Sequence, residues 1–223
     1  MKKIISYSFS LALLAVVMTS CAKSTKGKVT NEWKVVSYLE NDSFTNQGGQ
    51  SGSTITNMTE TTYTKQFSTS FNGVAIVDEN SGIVNLHELL LKKDGTWALN
   101  RDFTEHYENG ASSKVVFEQT GTWTFVGKTK GDDFKKNERL LFNVLTEKKN
   151  SVYTNDEQVV VSQFTSNDTY LTGELVLIYT IKESKNKELE LELVNDVAVT
   201  GDYGSNPGTN TDKLSVSMTL KQK

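Results

Sequence analysis

The sequence is poor in cysteine, proline and histidine, with one, one and two of these in 223 residues. A single cysteine excludes an intramolecular disulfide, and two histidines offer few candidates for the general base that most hydrolytic enzymes use. No apolar run reaches the roughly 20 residues that cross a bilayer as a helix. Basic residues do not cluster with aromatic ones and the net charge is −3, so nucleic acid is excluded as a partner.

The first twenty residues have the layout of an export signal. Lys2 and Lys3 precede an apolar run over residues 4–18, and small or polar residues follow up to Cys21. This order of basic, apolar and small residues is typical of secretory signals. We expect residues 1–20 to be a signal peptide that is removed from the mature protein.

The only cysteine stands where this signal ends. Met18-Thr19-Ser20-Cys21 resembles the lipobox of bacterial lipoproteins, whose cysteine becomes the acylated first residue of the mature chain. The resemblance implies that Cys21 carries fatty acyl chains such as palmitate. Because each buried methylene contributes about 0.8 kcal/mol, several chains would anchor the protein without a spanning helix. The alternative is an ordinary signal peptide cut nearby, which would leave Cys21 as a free thiol.

The segment after the cysteine is polar and basic, and we expect residues 21–30 to form a lipidated flexible tether. Surface-exposed lipoproteins of the Bacteroidota carry acidic residues at this place, whereas this chain has Lys23, Lys26 and Lys28. The comparison favours the periplasmic face of the outer membrane, with the cell surface as the alternative. The remaining residues, 31–223, are expected to form one domain.

Alternation of apolar and polar residues dominates this domain and indicates half-buried strands. It is clearest in KELELELV, residues 187–194, and in LSVSMTL, residues 214–220. Residues 86–93 contain helix-forming residues, but Asp94-Gly95 follows them and is a hairpin signal, so this segment is also predicted as a strand. No amphipathic segment of helical length is found.

Turn-forming clusters separate the predicted strands. They fall at residues 41–52, 78–82, 108–113, 128–137, 146–155 and 195–212. This leaves about nine or ten strands in series. Because an open antiparallel sheet would leave exposed edges, the prediction is an all-β fold: an antiparallel up-and-down barrel, or alternatively a β-sandwich.

Three short motifs resemble the lipocalin-like outer-membrane lipoproteins of the Bacteroidota. Trp33 begins the first predicted strand, Asp94-Gly95-Thr96 forms a turn, and Gly121-Thr122-Trp123 opens a later strand, as in that family. The resemblance implies a lipocalin-like barrel. Two departures are Asn31, where the family has glycine, and residues 53–71, which look like an elaboration.

The three tryptophans are the main candidates for either core packing or ligand contact. Trp33, Trp97 and Trp123 together can fill the interior of a small barrel, and lining a binding pocket is the alternative. His87 lies in an apolar strand, where strand geometry points it away from its neighbour Glu88.

His106 lies in a polar hairpin end and lacks metal-ligand spacing. We therefore expect no catalytic residue, metal or cofactor.

These inferences predict a non-enzymatic outer-membrane lipoprotein that contacts the membrane through its lipid. Two roles remain open. One is an interaction or accessory subunit of an outer-membrane protein complex, which predicts a filled lumen and an apolar surface patch. The other is a carrier of a small apolar ligand, which predicts an apolar lumen with space.

Overall fold

Nearly all of the described chain is β-structure. The structure, a computed structural model, describes residues 25–46, 50–71, 74–128, 137–185, 187–203 and 206–223. The signal peptide and the lipidation residue Cys21 lie outside these described residues, as does most of the predicted turn at 128–137.

One short helix precedes eleven antiparallel strands in the described ranges. The elements are α1 (Thr25–Val29), β1 (Glu32–Thr45), β2 (Ser51–Thr59), β3 (Thr62–Phe71), β4 (Val74–Leu91), β5 (Thr96–His106), β6 (Ser112–Val126), β7 (Arg139–Thr154), β8 (Val160–Thr169), β9 (Val176–Ser184), β10 (Glu188–Tyr203) and β11 (Asn206–Gln222).

Ten of the strands close into a barrel. Their order is β6-β5-β4-β3-β2-β1-β11-β10-β9-β7, and pairing of β6 with β7 completes the ring. The eleventh strand, β8, pairs with β7 outside the ring. The predicted all-β class and antiparallel barrel are confirmed, and the sandwich alternative is wrong. The strand order departs from a strict up-and-down sequence at one point: β7 pairs with β9 in the ring, and β8, which follows β7 in the chain, lies outside it.

A hairpin inserted in the wall makes the barrel wider at one end. Residues 32–34 of β1 pair directly with β4, so β2 and β3 take no part in the ring there. From Ser37 onward β1 pairs with β2 instead. A bulge between Val35 and Ser37 lies where the partner changes, and bulges supply the local bend that such a change needs. The predicted elaboration over residues 53–71 is this hairpin.

The alternation read from the sequence sets which side chains point inward. Leu189, Leu191 and Leu193 on β10 are buried, and the buried Val216, Met218 and Leu220 on β11 pair with them. The hairpin signal is also confirmed. Gly95 has φ of 85° at the turn between β4 and β5, and Asp94 Oδ1 accepts hydrogen bonds from the Thr96 backbone N–H and hydroxyl at 2.9 and 2.7 Å.

Three of the predicted turn clusters are wrong, and a fourth, residues 41–52, is wrong in part because residues 41–45 belong to β1 and residues 51–52 to β2. Residues 78–82 lie inside β4, residues 146–154 inside β7, and most of residues 195–212 inside β10 and β11. These parts of the strands belong to hairpins that extend past the buried core. In residues 78–82 and 146–154, polar residues are compatible with strands because none of these side chains is fully buried.

The helix α1 lies within the segment expected to be a flexible tether. Its Val29 is fully buried, and the Val29 carbonyl accepts a 2.8 Å hydrogen bond from Trp33 Nε1. The last turn before the barrel is therefore fixed against the barrel end. Within the described residues, no helix has the length and apolar character to cross a membrane.

Candidate binding site in the barrel lumen

The end of the barrel next to α1 is filled by side chains. Trp33 is 1% exposed, and Trp97 and Trp123 are also buried. Each indole N–H donates to a backbone carbonyl: Trp33 to Val29, Trp97 to Asn143 at 3.1 Å and Trp123 to Lys92 at 2.9 Å. Trp97 also meets Phe142 edge-on, with ring centroids 4.8 Å apart.

The space left among these residues is too small for a ligand. A cavity of about 10 Å³ remains beside Trp97 and Phe142, which is at the lower limit for one water molecule. The three tryptophans belong to the buried core cluster. We call this filled half the closed end.

Space opens further along the barrel. Two larger hollows share Glu40 and Arg101. The first, about 180 Å³, is called the Phe117 cavity and is lined by Tyr38, Glu40, Arg101, Phe117, Gln119, Leu177, Tyr179, Leu193, Leu214 and Val216. The second, about 330 Å³, is called the Lys65 cavity and is lined by Glu40, Asp42, Thr54, Thr56, Met58, Tyr63, Lys65, Arg101 and Phe103. Together they form the upper lumen.

Arg101 lies where the two cavities meet. Its guanidinium carbon is 4.4 Å from the ring centre of Tyr38 and 5.5 Å from that of Phe117, within the range of cation–π attraction. Its Nε is shielded from solvent and has no hydrogen-bond partner among the described residues. Burial opposes the charge, but nearby Tyr38 and Glu40 outweigh it and raise the pKa of Arg101.

Arg101 is therefore a charged donor with one unused N–H beside a cavity.

The phenols around Arg101 are neutral hydrogen-bonding groups. The Tyr38 hydroxyl donates to Glu40 Oε2. Burial raises the pKa of Tyr38 far above 10 despite the opposing effect of Arg101, and raises that of Tyr179 to about 12. Both tyrosines stay protonated at neutral pH. The Glu40 carboxylate thus already has a donor, and it is the nearest balancing negative charge for Arg101.

His87 is the second buried polar group without a partner. It is 3% exposed, its register partner on β5 is Arg101, and its ring meets Tyr38 edge-on at 5.2 Å. Neither ring nitrogen has a hydrogen bond among the described residues. Burial, and then Arg101, lower the pKa of His87 well below 6.5. The imidazole is therefore neutral and can both donate and accept.

The wall of the barrel is split beside the Phe117 cavity. β9 pairs with β10 only from Thr180 onward, whereas residues 176–179 pair only with β7. β10 pairs beyond Glu192 with β11 alone. A pocket of about 170 Å³, called the side pocket, lies at this opening and is lined by Val176, Leu177, Ile178, Leu193, Val194, Asn195 and Leu214.

The upper rim is acidic. Burial raises the pKa of Asp42, and the charges of Glu40 and Asp212 raise it further. Glu105, near the end of β5, accepts a 3.1 Å hydrogen bond from Asn80. Within the described ranges, no three His, Cys, Asp or Glu side chains are grouped so as to hold a metal ion.

The structure places the two histidines as the strand pattern predicted. His87 points inward, and Glu88, on the opposite face, pairs with Lys223. His106 is exposed at the end of β5. Neither has a nucleophilic side chain hydrogen-bonded to it among the described residues.

The sequence reasoning missed Arg101 and Glu40. The inward position of Arg101 could have been predicted, because Arg101 lies on the same face of β5 as Trp97, Leu99 and Phe103. A charged residue on an otherwise apolar, inward face is unusual. The inward position of Glu40 could not be predicted from the sequence. The bulge between Val35 and Ser37 reverses the phase of β1, and only the structure shows it.

Fold and lumen together define a closed ten-strand antiparallel β-barrel, filled at one end and hollow at the other. Comparison with protein-family models, curated proteins and solved structures found no match.

Proposed function

We propose that the protein is a non-enzymatic bacterial outer-membrane lipoprotein that binds a small molecule in the upper lumen. The observation that carries this proposal is the unpartnered Nε of Arg101, a residue that lines the Phe117 cavity. Leaving a buried polar group unsatisfied costs about 1–3 kcal/mol, and native proteins rarely tolerate it without a reason. A bound molecule that accepts a hydrogen bond from Arg101 Nε supplies that reason.

The proposal favours binding over catalysis. His87 is neutral and has no nucleophile beside it in the described residues, whereas general-base catalysis requires a hydrogen-bonded pair that can exchange a proton. Tyr38 and Tyr179 stay protonated and serve as a fixed lining. The upper lumen thus offers recognition groups without a reacting pair.

Native mass spectrometry of the protein purified from bacterial membranes in mild detergent tests this role. Leu177 lines the Phe117 cavity and the side pocket, so Leu177→Trp should fill the lumen and remove a small-molecule adduct that the wild type carries. Leu39→Trp is the matched control, because Leu39 is exposed on the outer face of β1. If neither the wild type nor the control carries an adduct, the binding proposal is wrong.

The proposed lipid anchor fits the direction of the lumen. α1 begins four residues after Cys21 and lies against the closed end through Val29 and Trp33. Glu40 lies seven residues further along β1 than Trp33, which is about 23 Å at the strand rise. An acylated Cys21 would then hold the closed end toward the membrane and leave the upper lumen facing the aqueous side.

Cell fractionation tests the anchor separately. Cys21→Ser should move the protein from the membrane fraction to the soluble one, since the acyl chains supply the binding energy. Protease treatment of intact cells then distinguishes the proposed periplasmic face from the cell surface. Equal membrane retention of wild type and Cys21→Ser would exclude lipidation as the anchor.

A role as an accessory subunit of an outer-membrane complex is the second candidate, and the outer edge of β8 favours it. Among the described strands β8 pairs only with β7, and its exposed Val160, Val161 and Phe164 make this edge apolar. Exposed apolar edge strands are sites where another chain can add a strand. Affinity purification of the tagged lipoprotein should then recover a partner with the wild type and lose it with Val161→Lys, since a lysine on an edge strand blocks pairing.

A further inference from the structure

The acidic and basic residues that line the Lys65 cavity come from different strands. Glu40 and Asp42 lie two residues apart on β1, and we call this pair the acidic wall. Lys65 on β3 and Arg101 on β5 form the basic wall. In the sheet, β2 lies between β1 and β3 and separates the acidic wall from Lys65.

Strand pairing sets the distance between the walls. Glu40 pairs with Thr56 on β2, and Thr56 pairs with Lys65 on β3. Because neighbouring strands are about 4.8 Å apart, the backbones of Glu40 and Lys65 are about 10 Å apart across the sheet. Thr56 and Thr54 line the cavity between the walls, and their hydroxyl groups can donate or accept hydrogen bonds. A short polar molecule can therefore bridge the two walls.

The charges of the two walls are not paired with each other. The side chain of Lys65 forms no hydrogen bond or ion pair in the described part of the chain, and Arg101 Nε has no partner there. The Glu40 carboxylate accepts a hydrogen bond from the Tyr38 hydroxyl, but no lysine or arginine among the described residues forms an ion pair with it. Both walls thus retain the capacity to bind a ligand.

Each wall favours a group of opposite charge. Burial raises the pKa of Asp42, and the charges of Glu40 and Asp212 raise it further, so an ammonium group beside these carboxylates would relieve their repulsion. The planar guanidinium of Arg101 matches a carboxylate, which can accept two parallel hydrogen bonds from it. Lys65 adds a second basic group to the same wall. The lining therefore favours an ammonium group at one wall and a carboxylate at the other.

The balance of charge disfavours ligands with a single charge. Two acidic and two basic residues line the cavity, so their formal charges cancel. A cation alone would be attracted by the acidic wall and repelled by the basic wall, and an anion alone would experience the reverse. A zwitterion can pair with both walls and brings no net charge into the cavity.

We propose that the Lys65 cavity binds a small zwitterion, with its ammonium group at Glu40 and Asp42 and its carboxylate at Arg101 and Lys65. This rests on the proposed binding function and specifies the ligand class of the upper lumen. Amino acids and short peptides belong to this class. The cavity volume of about 330 Å³ lies at the lower end of the range for small-molecule sites, which suits a ligand of this size.

Three probes with four carbon atoms each test the requirement for both charges. We would titrate 4-aminobutyrate, butyrate and butylamine at neutral pH into the chain from residue 21 carrying Cys21→Ser, and measure each Kd from amide chemical shifts in NMR spectra. The zwitterion 4-aminobutyrate should bind at least about tenfold tighter than either singly charged probe, and it should shift the amides of Thr54 and Thr56. Equal binding of 4-aminobutyrate and one of the other probes would overturn the zwitterion assignment.

Substitution of Lys65 tests the basic wall. Lys65→Met should weaken 4-aminobutyrate by about tenfold, because one charge-assisted contact is lost, and should not weaken butylamine. Lys182→Met is the matched control, since Lys182 forms an exposed ion pair with Glu192 and does not line the cavity. Equal effects of the two variants on 4-aminobutyrate would remove Lys65 from the site.

Substitution of Glu40 tests the acidic wall in the same way. Glu40→Gln should weaken 4-aminobutyrate by about tenfold and should not weaken butyrate, whereas the control Glu192→Gln should leave both unchanged. If Glu40→Gln does not fold, Asp42→Asn at an exposed position of the same wall takes its place. No binding by any of the three probes would overturn the zwitterion assignment. The small-molecule adduct in native mass spectrometry then decides separately whether the proposed binding function stands.

Discussion

Trp33 is expected to be the side chain whose loss costs the barrel most stability. It is 1% exposed, it lies where β1 pairs directly with β4, and its indole N–H holds the carbonyl of Val29. Truncating a buried tryptophan to alanine costs about 3–5 kcal/mol. The lost hydrogen bond leaves a buried carbonyl unsatisfied, which adds about 1 kcal/mol. We expect Trp33→Ala to lower the free energy of unfolding by about 4–6 kcal/mol.

Trp33→Phe is a smaller truncation at the same position. It keeps a six-membered ring and loses the N–H together with the rest of the five-membered ring, so the expected loss is smaller than that of Trp33→Ala, about 2–3 kcal/mol. Urea unfolding of both variants, with the slope of the free energy against urea compared with that of the wild type, measures the difference. A loss below about 1 kcal/mol for Trp33→Ala, or equal losses for both variants, would refute the closed-end packing.

Two further predictions concern single positions. Gly121→Ala should destabilise the barrel by about 3 kcal/mol or more, because a Cβ there would lie 1.8 Å from the Asn143 carbonyl oxygen. Gly127→Ala is the control: open space surrounds Gly127, so this variant should be near neutral in the same urea assay. His87 has a lowered pKa in the folded state, so the unfolded chain binds the extra proton and the His87 contribution to stability falls as the pH drops below about 6.5. His87→Gln should flatten the dependence of the unfolding free energy on pH between pH 7 and pH 5, by at most about 1.4 kcal/mol per pH unit. Equal slopes in wild type and His87→Gln would contradict the buried neutral imidazole.

The closed end of the barrel was predictable because burial there is one-sided. Leu189, Leu191 and Leu193 alternate with glutamates, and one face of the strand meets the core while the other meets water. The turn at Asp94-Gly95 was predictable from the backbone requirement of its glycine. Both signals come from neighbours in the chain, which a sequence displays directly.

The long upper strands were not predictable from the same signals. Residues 78–82 and 146–154 are strands because a partner strand pairs with them, not because their own side chains alternate. Asn, Asp, Ser and Thr in such a stretch look like a turn when only local propensity is considered. Pairing partners far along the chain decide the outcome, as they do for the switch of β7 from β9 to β8.

Only part of the candidate site could be predicted from the sequence. Arg101 stands on the apolar phase of β5, which a period of two displays. Its environment was hidden, because Glu40 reaches the lumen only through the bulge in β1, and the side pocket exists only because β9 and β10 stop pairing at Glu192. A bulge or the end of a strand pairing leaves no pattern in the sequence as clear as the alternation that places Arg101.

The most direct measurement of the central claim is a crystal structure of the protein purified from bacterial membranes in mild detergent. The account predicts a bound small molecule in the upper lumen, with an acceptor atom within hydrogen-bond distance of Arg101 Nε. An upper lumen that holds water alone would contradict it.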